Sequence, residues 1–411
     1  MSASLIQNAS AFDAGIEAAF VARSAPNEAQ AAAFDRFSKM RLPNRRLEGW
    51  RWSDFSAALR AAEFEDATGD VAIAPSAFAD LEPLEIQIVN GRVILPEEST
   101  VEGAAFGVID SMATIPDLET HAIVSLNVAM NRKAFGLQVD DGVILARPIL
   151  IRHIVDSGAP VFAQTLLRIG VGANVQLIET YEGEGAPLYS HLCHMALRDK
   201  ARFHRFVLQD TGPRAVMHAL CAPKVDGGAH FDQTTLSIGA RLARHETVLH
   251  YVAENAFASI DSAALLKDER HSDISTYVLH KAEACETRQV HKGVARDRGR
   301  NVFQGKFHVE RPAQKTDAKM TANALLLSEG AEANHKPELE IYADDVECAH
   351  GSTVGALDDD ALFYLRQRGL DEASARALLV EAFVGEVIES IENDDVREVF
   401  AARVADWLAQ S

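Results

Sequence analysis

Between residues 137 and 355 the chain reads as a succession of short strands with no helix among them. Segments rich in Val, Ile, Leu, Phe and Thr are separated by Gly, Asp and Asn turns. Examples are Val175–Thr180, Phe203–Gln209, Thr234–Ile238, Thr247–Val252, Ile274–His280 and Leu339–Tyr342. The absence of helical periodicity between them argues against alternating βα units. A weak repeat marks the same stretch. Gly172-Ala173-Asn174-Val175, Lys200-Ala201-Arg202-Phe203 and Gly228-Ala229-His230-Phe231 follow one another at intervals of 28 residues. Asn255-Ala256-Phe257-Ala258 and Glu283-Ala284-Cys285-Glu286 are again 28 apart. Regular short strands with repeating turns suit a β-solenoid, in which each coil buries its apolar residues against the next. A β-sandwich competes, but one sandwich is normally shorter than this stretch, so two would be needed.

The flanks are helical. Phe12, Ile16 and Phe20 share one helix face, and Phe34, Phe37 and Met40 share another, before Pro43 ends the pattern. Arg45 to Ser53 is then a cluster of arginines and tryptophans, read as a surface turn with a tryptophan anchor. Residues 61–82 look like a linker or loose helix. Glu85 to Leu95 reads as a hairpin turning at Asn90-Gly91, and residues 117–134 look helical again. In the tail, Asp358 to Arg368 forms one helix ending at Gly369. Asp371 caps a second helix, with an apolar stripe of Leu378, Leu379, Ala382, Phe383, Val387, Ile388 and Ile391. A third places Val396, Phe400, Val404, Trp407 and Leu408 on one side. Such stripes would pack on their own domain, cap the solenoid or hold a partner. The expected division is a helical region over 1–84, a core over 85–355 with a helical insertion near 117–134, and a helical region over 356–411.

Charge limits the partners. The formal net charge is −20, which disfavours nonspecific binding to nucleic acid or an anionic membrane. It is unevenly spread. Residues 358–411 carry thirteen Asp/Glu against five Arg, and residues 280–320 carry ten Lys/Arg against five Asp/Glu. Both are read either as solvated surface or as docking faces for different proteins. No apolar run of about eighteen residues suggests a membrane span, and Met1 to Ser10 lacks the pattern of a secretion signal. Four cysteines without a CxxC pair fit a cytoplasmic chain with reduced thiols.

The chemistry concentrates near the C-terminus, where Cys348 and His350 sit two apart in an apparent strand. Side chains two apart share a face, so a thiol and an imidazole would stand side by side. Both are ligands for iron or zinc. Two donors cannot close a four-coordinate site, so the others must come from elsewhere in the chain or from a partner. The plainer alternative is a buried cysteine packing as a small hydrophobe. His191 and Cys193 share a face too, and are read as a satisfied surface pair rather than a small metal site. Asp344-Asp345 reads as turn structure rather than as an acid/base pair. Gly299 to Lys306 fails the phosphate-loop pattern, with five residues between its glycines and Phe307 after the lysine, so the chain should bind no nucleotide itself.

The stretch from Pro337 to Gly355 (PELEIYADDVECAHGSTVG), continuing through Leu362 to Gly369, resembles the SufD family of the SufB/SufD superfamily. Cys285 to Lys292, Lys315-Thr316-Asp317 with Asn323 to Leu326, and Arg45 to Ser53 are similar to it as well. The resemblance implies a right-handed parallel β-helix between helical regions. It implies a scaffold subunit for iron–sulfur cluster assembly without catalysis of its own. A SufB-like subunit would join through the β-helix, and a SufC-like ABC-type ATPase would dock on the C-terminal helices. A transient iron–sulfur cluster would be shared with the partner, with His350 as a metal ligand and Cys348 beside it. Whether the isolated chain pairs with itself as a homodimer is left open by the sequence. The four cysteines and the Trp50/Trp52 segment argue against SufB itself. A β-helix enzyme acting on polysaccharide is the alternative from another class.

Overall fold

A strand that is apolar on both faces needs cover on both sides, and stacked coils supply one side themselves. The computed structural model describes residues 10–23, 26–62, 64–65, 71, 73–98, 101–112 and 118–410, and the chain in it is mainly β. Strands alternate between a ten-stranded and a nine-stranded sheet, so each coil adds one strand to each. Pairing is parallel from Leu84–Val89 against Ile149–Asp156 through to Asp317–Leu326 against Glu347–Gly355. Two antiparallel pairs stand at the start, one of them the expected hairpin through Asn90-Gly91. The result is a β-solenoid of about 8 turns with helices at both ends of the chain. The sandwich alternative fails because both sheets grow coil by coil around one shared lumen.

The weak repeat has a physical origin. Gly172, Lys200, Gly228, Asn255, Ala284 and Lys315 all adopt positive φ, between 55° and 64°. Each turns one corner of a coil, and its N–H donates to a carbonyl of the next coil. The residue after each is small and buried: Ala173, Ala201, Ala229, Ala256, Cys285 and Thr316. The interval is not constant, however. Arg202 pairs with His230 at 28 residues, but His230 pairs with Phe257 and Phe257 with Glu286. Asn255 therefore stacks on Ala284, one residue beyond the expected match with Glu283.

Three apolar clusters organise the rest. One fills the lumen. A second joins α1 (Ala11–Val21), α2 (Glu28–Met40), α3 (Phe55–Leu59) and α4 (Ala122–Met130) to outward residues of the nine-stranded sheet, among them Leu192 and Leu220. The third lays the tail on the outer face of the ten-stranded sheet against Ile178, Phe206, Leu236 and Leu265. The tail comprises α5 (Asp359–Gln367), α6 (Glu372–Ile388) and α7 (Asp394–Ala409). The helices therefore cover sheet faces and do not cap the solenoid end.

Several local expectations shift. The helix near 117–134 is confined to α4, because Lys133–Val139 already forms a strand; residue 117 and part of 61–82 lie outside the described residues. Trp50 is buried, with the Arg244 guanidinium stacked 4.0 Å from its ring, while residues 45–49 are exposed, so the segment is the expected surface turn anchored by its tryptophan. In α6 the buried residues are Ala375, Val380, Val384, Val387 and Ile388. Leu378 points outward instead, 44% exposed, because the valine row meets the sheet.

Candidate metal centre

The last coil leaves both sheets with a free edge. Glu332–Ile341 ends the nine-stranded sheet and Glu347–Gly355 the ten-stranded one, and each pairs on one side only. Interior strands bury almost every residue; these two are half-buried or exposed along their whole length. Cys348 stands in register with Ala318, His350 with Met320 and Ser352 with Ala322. Those three partners are buried and belong to the lumen cluster. Side chains in register on paired strands point the same way, so Cys348, His350 and Ser352 prolong a lumen-facing row past the last closed coil. Cys348 is half-buried and packs on the lumen cluster, while His350 is exposed.

His335 completes the rim from the other sheet. It stands over Phe303, with Nδ1 3.0 Å from Ser352 Oγ and Nε2 3.0 Å from Asn301 Oδ1. Asn301 Nδ2 lies 3.1 Å from His291 Nε2, and His291 Nδ1 lies 2.9 Å from Ser262 Oγ. Burial pushes the Cys348 thiol up, and nearby Asp317 adds to this against a hydrogen bond from the Ala318 backbone. A metal must therefore displace a proton from Cys348, and thiolate ligation weakens as pH falls. Burial draws the His335 imidazole down to about 4, with the Ala322 carbonyl opposing.

Two closer sets of ligand atoms occur elsewhere among the described residues, and neither is open to an ion. In the lumen, Glu179 accepts from His153 at 2.9 Å and from Arg205 Nε at 2.9 Å. His191 is held by the Tyr181 hydroxyl at 2.8 Å and by Thr165 at 3.0 Å. Every donor there is already engaged and sealed from solvent. His191 and Cys193 are thus core residues, not the expected surface pair. Beneath Trp50, Glu246 accepts from His121 at 2.8 Å and His218 at 2.6 Å. His121 Nδ1 accepts the Val124 N–H, so its Nε2 must keep the proton a metal would have to replace. Cys285 is likewise a corner residue, its thiol turned to the Ala253 carbonyl at 3.4 Å. The Asp345 carbonyl takes the Lys315 N–H, and its own N–H is held by Gln314, so the acidic pair is turn structure.

The buried histidines set an acid limit. Burial lowers His245, His280 and His291 to about 3 and His271 to about 4. Their folded values lie below the unfolded value, so their contribution is intact above about 6.5 and is lost as pH falls towards 4. Asp232 and Asp261, raised to about 6 by burial, act in the opposite sense but are fewer. Each buried histidine removes up to about 1.4 kcal/mol per pH unit. The urea midpoint is expected to fall between pH 7 and pH 5; a rising midpoint would contradict the assignment.

With this geometry in place, comparison with known proteins is specific. Residues 153–383 match the family model described as SUF system FeS cluster assembly, SufBD core domain. The chain belongs to the SufBD family. It is 29% identical to the iron–sulfur cluster assembly protein SufD of Escherichia coli, over 89% of this chain and 89% of that protein. A SufBD family iron–sulfur cluster assembly protein of Synechocystis is 30% identical over 89% of this chain and 87% of its own length. One from Pyrococcus horikoshii is 25% identical over 75% and 70%. The chain is thus a SufD homologue and an iron–sulfur cluster assembly protein. No helix among its described residues is long and apolar enough to cross a membrane. The SufBD match spans the coils that carry His335, Asn301 and Ser352, none of which sequence spacing brought forward. They meet only through coil register, for which a linear motif offers no signal.

Proposed function

We propose that this SufBD chain is a scaffold subunit without catalysis of its own, on which an iron–sulfur cluster forms at a shared interface. The observation that carries the reading is the unfinished donor row at the open end of the solenoid. Cys348 and His350 face the mouth with too few partners to close a site. The strands bearing them and His335 have edges free to pair with a second solenoid. The cluster is cargo: it must be held by few, exchangeable ligands to be handed on. A SufB-like subunit supplies the remaining ligands. Without it, the same edges accept a second copy of this chain. In this division 1–84 is the N-terminal helical region, 85–355 is the core and 356–411 docks a SufC-like ABC-type ATPase, the chain itself binding no nucleotide. Four free cysteines suit a cytoplasmic setting.

The docking role has support on the tail. Phe363 and Tyr364 on α5 are 65% and 57% exposed, and Leu378 on α6 also faces outward. Aromatic anchors of this kind carry about 2 kcal/mol or more at an interface, roughly thirtyfold in Kd. Phe363→Ala with Tyr364→Ala is expected to release the ATPase in co-purification. The melting temperature should hold, since exposed substitutions change stability by about 0.5 kcal/mol or less. Undiminished ATPase recovery would refute the docking face.

A further inference from the structure

We propose that His335 is a second imidazole ligand for the nascent cluster, additional to His350 and held ready by Asn301. The proposal rests on the scaffold reading above. Asn301 Oδ1 carries no proton and can only accept. With the amide oriented so that Oδ1 faces His335 Nε2 at 3.0 Å and His291 Nε2 at 3.2 Å, the His335 Nε2 is the protonated nitrogen. Its Nδ1 is then a lone pair, and it points to the rim, where Ser352 Oγ lies at 3.0 Å. Metal-binding histidines characteristically donate their other ring N–H to a fixed acceptor, which sets the tautomer and the ring orientation. Asn301 is such an acceptor. It is fully buried and bonded to His291, whose ring stacks 4.9 Å from Phe303 and is tied to Ser262.

Besides the Ala322 carbonyl that the ring meets, the side chain on Nδ1 now is the Ser352 hydroxyl, on an exposed strand, whereas the ring nitrogens of His153 and His191 are locked by buried partners. When cargo arrives, the Ser352 O–H turns to water and the Nδ1 lone pair goes to iron. No proton leaves His335 and no electron moves. His335 and the Cys348–His350 row stand on different sheets and do not converge on one point. That spacing suits a cluster, whose separate irons take separate ligands, rather than a single ion.

The test uses the chain purified with its partner subunit and reconstituted with ferrous iron and sulfide. Pulsed electron paramagnetic resonance of the reduced cluster counts coupled imidazole nitrogens, and a competing chelator reads iron retention. The parent complex is expected to show two nitrogen couplings. His335→Ala should keep one and lose iron about 10–100 times more readily. Asn301→Ala, which frees the ring, should weaken retention in the same direction. Ser352→Ala, which removes the competing hydroxyl and leaves the ligand, should keep both couplings and retain iron at least as well as the parent. The Ser352→Ala result stands even if His335→Ala folds poorly. Parent-like couplings and retention in His335→Ala, or a coupling lost in Ser352→Ala, would overturn the proposal while leaving the scaffold reading intact. A parent complex that binds no cluster would overturn both.

Discussion

Replacing His350 with alanine is expected to leave the fold unchanged and to abolish cluster formation in the assembled complex. The two halves of this result have separate causes. His350 is exposed on a terminal strand, and what ties it to the coil is its backbone, in register with Met320, which alanine keeps. Its removal should therefore shift stability by about 0.5 kcal/mol or less. Its chemical role is different: it presents the exposed imidazole beside a thiol that burial keeps protonated. With the imidazole gone, the row offers only Cys348, which must first lose a proton. The measurement is cluster absorbance and acid-labile sulfide in the reconstituted complex, beside a melting curve. Normal assembly by a folded His350→Ala complex would remove this residue from the site.

The second large effect lies in the lumen. Arg205→Ala is expected to destabilise the chain by about 3–5 kcal/mol, the range for breaking a buried ion pair from one side. Glu179 is wholly buried and Arg205 nearly so. Burial pushes the Glu179 carboxyl up, but the Arg205 guanidinium and the His153 hydrogen bond outweigh it and hold the group below its ordinary range. Without the guanidinium, a charge is left in an apolar lumen with only the His153 and His191 imidazoles beside it. The loss is comparable to a large share of a domain's net stability of about 5–15 kcal/mol. The double change Arg205→Met with Glu179→Met should recover much of it, because a packed apolar pair carries no desolvation cost. Urea midpoints for parent, single and double variants decide this. An Arg205→Ala midpoint near the parent's would mean that Glu179 is neutral or hydrated.

What the sequence disclosed, and what it hid, follows from the range of the interactions. The strands, the Asn90-Gly91 hairpin, the helix after Asp358, the Asp371 helix cap and the Val396–Trp407 stripe depend on neighbouring residues, and all are found. The solenoid showed through because its corners reuse one left-handed residue followed by one small residue. It showed only faintly because coil lengths drift, as between Asn255 and Ala284. The face of α6 could not be settled alone, since Leu378 and Val380 both lie on apolar arcs and the sheet chooses between them. Cys348 and His350 were visible as a pair two apart on one strand. His335 was not, because its place beside Ser352 depends on how one coil closes over the previous one. Trp50 was noticed, but its partners Arg244 and His218 lie far along the chain.

The central claim is that this chain works as one half of a shared site, and affinity purification of the tagged chain from its native host tests it most directly. A stable complex with a second SufBD-family chain and an ABC-type ATPase is the expected result. Recovery of the chain unaccompanied, at good yield and low salt, would contradict the shared interface.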